Sequence, residues 1–276
     1  MRLTTKRREI IARQATEVGI CIYCRTKDEL TDEHITPFGL SGRTILLNAS
    51  CRSCAKITSG LENTLLRSQW FAARAALKTK TRRNKERKEP QPMLVEKGGE
   101  VKTIQVLWEH QWKVIRLPIF PLPAHIDNGS YTDGIETVSM YQFELSEKGE
   151  DVARKHNVDR VLLPDYSPDV FARMIAKIAY GYAVERYTLQ AFEDVYVLPA
   201  ILGRTNDIGR WVGCSDRREF PVRNCVVSVG FKIIKRNELI VKIKMFAQFD
   251  GAEYVVVVGR MKQVYLDYIN SLGHKA

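Results

Sequence analysis

The chain has 276 residues, 45% of them hydrophobic and 27% charged, an ordinary globular composition that can supply a sizeable core. The net charge of +11 is lopsided: 19 Lys and Arg against 9 Asp and Glu fall within residues 1–92, and the remainder of the chain is close to neutral. No run approaches 18 consecutive apolar residues, and the opening Met1-Arg2-Leu3-Thr4-Thr5-Lys6-Arg7-Arg8 lacks the apolar stretch of a signal peptide, so the expectation is a soluble, cytoplasmic protein without a membrane partner.

From Lys6 to Val18, Ile10, Ile11 and Ala15 recur at helical spacing among basic residues, which predicts a short amphipathic helix ending near Gly19. Between Cys21 and Cys54 the turn residues Gly39, Ser41 and Gly42 separate two extended pieces, around Asp32 to Pro37 and Thr44 to Leu47, and predict a hairpin. Beyond Cys54, Leu61, Leu65, Leu66, Trp70, Phe71, Ala75 and Leu77 recur at three and four, predicting one long helix over Ala55 to Lys88. Its second half carries Arg74, Lys78, Lys80, Arg82, Arg83, Lys85, Arg87 and Lys88, a basic run suited to phosphate contact, before Glu89-Pro90-Gln91-Pro92 stops it. A solvated helix end is the plainer reading of such a run.

Composition then shifts, and a boundary near residue 92 divides the chain into 1–92 and 93–276. Alternation over Thr103 to Trp108 and Trp112 to Leu117 predicts two strands. Pro168, followed by Phe171, Met174, Ile175, Ile178, Ala179, Tyr182 and Ala183, predicts a helix of about five turns. Three β-rich runs, Asn224 to Ile234, Leu239 to Phe249 and Glu253 to Val258, are joined by short connections and so should be antiparallel neighbours, with a last helix over Tyr265 to Leu272. The predicted class is α+β: a small zinc-stapled ββα unit and a basic helix, followed by a larger α+β part with an antiparallel sheet.

The chemistry concentrates in the first unit. Cys21-x-x-Cys24 and Cys51-x-x-Cys54, separated by 26 residues, predict a structural Zn²⁺, because each CxxC turn can aim two thiolates at one tetrahedral ion. A reduced redox pair would need a thioredoxin-like βαβ pattern, which the surrounding sequence lacks. Cys214 and Cys225 stand apart. Four thiolates leave no open coordination position, so any catalysis must come from elsewhere. Glu33-His34 offers a carboxylate for a hard cation beside an imidazole that can deprotonate water. With a helix starting near Ala55, Ser59 and Glu62 share its face with Thr58 beside them, and Glu62 is the one suited to Mg²⁺, although an acid near a basic helix's N-terminus also serves the helix dipole. His110, His125, His156 and His274 have no such neighbours and are assigned packing or hydrogen-bonding roles.

Cys21-x-x-Cys24, Asp32-Glu33-His34-Ile35-Thr36-Pro37-Phe38-Gly39-Leu40-Ser41-Gly42 and Asn48-Ala49-Ser50-Cys51-Arg52-Ser53-Cys54 together resemble an HNH endonuclease of the ββα-metal type with a zinc knuckle. The resemblance covers roughly residues 19–62. It implies a catalytic Mg²⁺ or Mn²⁺ held by Glu33, His34 as general base, and DNA as the usual substrate, with RNA left open. It also associates such nucleases with phage defence or mobile elements. The chain departs from the family's pattern at Leu46, where an Asn is usual, leaving Asn48 as the nearest candidate for the middle position. A second departure is Ala55, where a His or Asn often follows the fourth cysteine; Glu62 is the candidate to complete the site. Two readings follow: a metal-dependent endonuclease with weak sequence preference, or a zinc-containing nucleic-acid-binding protein without catalysis. In either, residues 93–276 could receive a ligand or a protein partner.

Overall fold

The structure is a computed structural model that describes residues 15–71, 74, 89–129, 133–215, 221 and 225–271. It is an α+β fold with several antiparallel sheets. Strand β1 (Ala15–Glu17) pairs in parallel with β3 (Ile45–Cys51), which pairs antiparallel with β2 (Leu30–His34), giving the order β1-β3-β2. Helix α1 (Arg52–Arg67) leaves β3 directly, with Cys51 as its N-cap residue. This is the ββα order that the cysteines and the hairpin predict.

Two expectations are corrected here. Residues 15–17, predicted as the end of a helix, form the third strand of the small sheet, because pairing Ala15 with Ile45 and Glu17 with Leu47 satisfies the free edge of β3. Residues 6–14 of that predicted helix lie outside the described part. The long helix predicted to Lys88 is interrupted after Arg67; Phe71 and Arg74 are helical again, and residues 72, 73 and 75–88 lie outside the described part. Ser68 breaks the helical backbone (φ −108°, ψ −99°), which lets Gln69 donate 2.7 Å to the Arg116 carbonyl and drops Trp70 into the core. Burying the indole outweighs the local helical propensity.

The rest of the chain is built on α4 (Pro168–Tyr187), preceded by β4 (Gln91–Lys97), β5 (Glu100–Val106), β6 (Val114–Ile119), α2 (Ala124–Asp127), β7 (Ser139–Glu144), α3 (Gly149–Lys155) and β8 (Arg160–Leu162). Strands β5, β4 and β8 form one antiparallel sheet and β6 and β7 a hairpin. After α4 come β9 (Phe192–Val195), α5 (Leu198–Ile201), α6 (Ile208–Trp211), β10 (Val212–Cys214), β11 (Val227–Ile234), β12 (Glu238–Met245), β13 (Glu253–Met261) and α7 (Gln263–Ser271). The sheet order β10-β13-β12-β11, with β9 also on β13, is antiparallel throughout, as the three β-rich runs predict. Sequence pattern alone did not reveal β4, which spans the position of the 92/93 boundary.

Helix α4 starts where a capping serine and proline place it: Ser167 Oγ accepts from the Val170 amide, and Pro168 sits in the first turn. It is buried on nearly every side. One face meets the C-terminal sheet and the other meets the ββα unit, so Leu46, Leu65 and Trp70 share one apolar core with Phe171, Met174, Phe246 and Val256. Trp70 stands edge-on to Phe171 at 5.6 Å and to Phe246 at 6.0 Å. Met93, Val95, Val106 and Val152 form a smaller separate cluster. Among the described residues, no helix is long and apolar enough to cross a membrane.

Candidate metal centre and carboxylate site

The first cysteine pair lies in a tight turn after Gly19 (φ 70°): Arg25, also at positive φ, donates its amide to the Cys21 carbonyl at 2.9 Å. Ile22 donates its amide to the Ala49 carbonyl at 2.8 Å, which pins this turn to β3. The second pair straddles the start of α1. As a result the four sulfurs of Cys21, Cys24, Cys51 and Cys54 lie within 4.8 Å of one another, a cluster that could hold a metal ion. Burial pushes the Cys51 thiol up, but the Ser53 hydroxyl and the Cys54 amide at the helix N-terminus outweigh it and bring the thiol down to about 6. Burial raises Cys24 and Cys54 instead. The donor set is chemically right for a closed thiolate site.

Glu33 and His34 end β2, where a register shift between Thr31 and Glu33 marks a bulge. They point in different directions. Glu33 turns inward and is 5% exposed, whereas His34 is half-buried with its ring edge-on to Phe38 at 5.8 Å. Glu62, from the middle of α1, reaches the same interior point as Glu33. Between them stands Lys177 of α4, its Nζ 2.6 Å from Glu33 Oε1 and 2.8 Å from Glu62 Oε1. The same ammonium donates to the carbonyls of His34 and, at 3.2 Å, Ile35. An ammonium has three N–H donors, and here four oxygens surround it.

The electrostatics follow from this packing. Burial alone would lower the Lys177 pKa, but the carboxylates of Glu33 and Glu62 more than offset it and hold the ammonium above its ordinary value. Burial raises Glu33 above the usual carboxylate range, and Lys177 pulls it partly back. The Tyr23 phenol is pushed well up, first by burial and then by the charge of Glu33. A catalytic divalent ion does not fit between Glu33 and Glu62 in this arrangement, because the ammonium already fills that position. Mg²⁺ needs about six oxygens at roughly 2.0–2.1 Å.

The other predicted site residues are placed differently. Asn48 adopts a left-handed backbone (φ 50°) and is exposed; its amide N–H donates to Asp32 Oδ1 and its side chain to Glu17 Oε1, both at 3.1 Å. The structure therefore unites Glu33 with Glu62 and leaves Asn48 exposed on the central strand, bonded to Asp32 and Glu17 of the two flanking strands. Arg74 binds the carbonyls of Gly39 (3.1 Å) and Leu66 (2.9 Å), tying the chain after α1 to the β2–β3 connection. The rest of the basic run, Lys78, Lys80, Arg82, Arg83, Lys85, Arg87 and Lys88, lies outside the described residues.

Sequence reasoning missed Lys177. The signal was present: Met174, Lys177, Gly181 and Val184 form one row at helical spacing, so a lysine stands in the middle of an apolar stripe. A buried ammonium there demands buried anions. Tyr180 and Tyr182 strengthen the same contact, donating to the Ile22 carbonyl at 2.6 Å and sharing a 3.2 Å hydrogen bond with Thr36 respectively. No protein-family model matches the chain, and no curated protein or solved structure matches it either.

Proposed function

We propose that the protein is an HNH-type endonuclease that hydrolyses phosphodiester bonds of DNA with weak sequence preference. The observation that carries this reading is the β2–β3–α1 unit. It sets four cysteines around one point, carries Glu33 and His34 at the end of β2, and brings Glu62 of α1 to the same ammonium as Glu33. In this reading the cysteines hold a structural Zn²⁺, and the basic run from Lys78 to Lys88 contacts phosphates.

His34 is the general base. The residue is half-buried, and the edge contact with Phe38 and the carbonyl held by Lys177 limit its motion. An imidazole near neutral pH can take the proton of a water as that water's oxygen bonds to phosphorus and the P–O bond to the leaving sugar oxygen breaks. With the Lys177 ammonium in place, a Mg²⁺ or Mn²⁺ ion has no seat between Glu33 and Glu62. The second reading is a zinc-containing nucleic-acid-binding protein without catalysis, and the ammonium between Glu33 and Glu62 favours it.

Supercoiled-plasmid cleavage with Mn²⁺ at low salt tests the proposal. Wild type and Lys177→Gln are each compared with their His34→Ala counterparts. Chelator-sensitive cleavage that His34→Ala abolishes in folded protein supports the nuclease. Salt-dependent DNA binding without cleavage by any of them supports the second reading.

A further inference from the structure

We propose that Lys177 is the resident cation of a divalent-metal site, and that α4 closes this site by inserting the ammonium between Glu33 and Glu62. The proposal deepens the nuclease reading, but the existence of the site stands on its geometry alone.

The donor set is that of a hard cation. Four oxygens converge on one point: a carboxylate from Glu33, a carboxylate from Glu62, and the backbone carbonyls of His34 and Ile35. Carboxylates with carbonyls, and no sulfur or imidazole, are the ligands that Mg²⁺ and Mn²⁺ select, with water completing the shell. Two carboxylates against one ammonium leave the point one negative charge in excess. A dication would therefore be held at least as well as the lysine, provided the lysine left. Glu62 also offers a route in, since its side chain is 21% exposed where Glu33 and Lys177 are sealed.

The ammonium is placed by its helix. Tyr180 anchors α4 to the Ile22 carbonyl and Tyr182 to Thr36. Gly181 lies so close to Ile35 that a Cβ there would sit 2.9 Å from Ile35 Cγ2. These contacts follow Lys177 within about one and a half turns and fix where its side chain enters. The element that closes the site is thus the helix through which the C-terminal sheet meets the ββα unit. Removing the ammonium opens the site.

The test is Mn²⁺ binding to zinc-loaded protein, followed by the paramagnetic signal of free Mn²⁺ and by thermal unfolding with and without Mn²⁺. Wild type should show no Mn²⁺ binding that depends on Glu33. Lys177→Gln should bind Mn²⁺ about tenfold or more tighter than wild type and gain thermal stability from it, as a ligand that binds only the native state must confer. Glu33→Gln in the Lys177→Gln background should remove that gain. Wild type binding Mn²⁺ in a manner lost with Glu33→Gln overturns the proposal, as does a Lys177→Gln protein that gains no binding.

Should Lys177→Gln fail to fold without metal, it and Lys177→Met are refolded with Mn²⁺. Rescue by the ion supports the proposal, and failure of both variants in millimolar Mn²⁺ overturns it. Cleavage separates the two readings. A Lys177→Gln protein that binds Mn²⁺ but leaves plasmid intact keeps the closed site and removes the nuclease. His34-dependent cleavage at equal rates by wild type and Lys177→Gln keeps the nuclease and overturns the closure.

Discussion

The Tyr180 phenol donates a 2.6 Å hydrogen bond to the Ile22 carbonyl, inside the turn between Cys21 and Cys24. The metal knuckle and the central helix are therefore one mechanical unit. If a zinc ion holds the four sulfurs, its loss frees the knuckle turn and then the β2 strand end, because structural zinc supplies folding energy of about 10–16 kcal/mol in small domains. Chelation or Cys54→Ser should remove one zinc per chain and lower the melting temperature markedly, read by metal analysis and circular dichroism. An unchanged melting temperature after complete metal removal would contradict this.

Lys177→Met should be among the most damaging single substitutions, costing about 3–5 kcal/mol, since it leaves two carboxylates without their counter-ion in the interior. Adding Glu33→Gln should recover part of that loss, with Glu62 keeping its partial contact with water. Chemical denaturation of the zinc-loaded proteins in buffer free of Mg²⁺ and Mn²⁺ measures the cycle; strictly additive losses would mean that the pair does not interact.

The contact of Gly181 with Ile35 predicts its own compensation. Gly181→Ala places a methyl 2.9 Å from Ile35 Cγ2 and should cost about 1–3 kcal/mol through overpacking. Ile35→Val in the same chain should restore part of it. Equal stability of Gly181→Ala and wild type would show that α4 does not sit as tightly on β2 as the structure has it.

Legibility from sequence followed how local the determining interaction is. The extent of α4 follows from Ser167, Pro168 and its apolar spacing, and the antiparallel order of β11, β12 and β13 from short connections. The cysteine cluster was legible because CxxC spacing is itself local. What failed depended on partners distant in sequence. Nothing within Ala15 to Glu17 says that β3 has an open edge, and nothing near Ser68 says that Trp70 will pack against Phe171, about a hundred residues later. Glu62 was found from its face on α1, yet its neighbour Lys177 lies 115 positions away.

Alkaline stability follows from three buried phenols. Burial raises Tyr23 and Tyr254 well above the ordinary phenol range, and Tyr180 is raised chiefly by burial too. A group whose pKa is raised by folding stabilises fully below its unfolded value of about 10, and loses that contribution as pH climbs through the folded value. Each should weaken the fold by up to about 1.4 kcal/mol per pH unit between its unfolded value of about 10 and its raised folded value. Melting temperature should hold between pH 8 and 9.5 and fall steeply beyond 10, with tyrosinate absorbance appearing together with unfolding. Ionisation of all the tyrosines near pH 10 in folded protein would contradict this.

Plasmid cleavage by Lys177→Gln, set against Lys177→Gln with His34→Ala, in Mn²⁺ at low salt and with zinc loading and folding checked for both, puts the nuclease proposal to its most direct trial. The expected result is nicking or linearisation by the first protein that chelator suppresses and that the second lacks. Intact plasmid in the presence of folded, Mn²⁺-bound Lys177→Gln, or cleavage that persists without the His34 imidazole, would contradict the assignment of this ββα unit as a nuclease with His34 as its base.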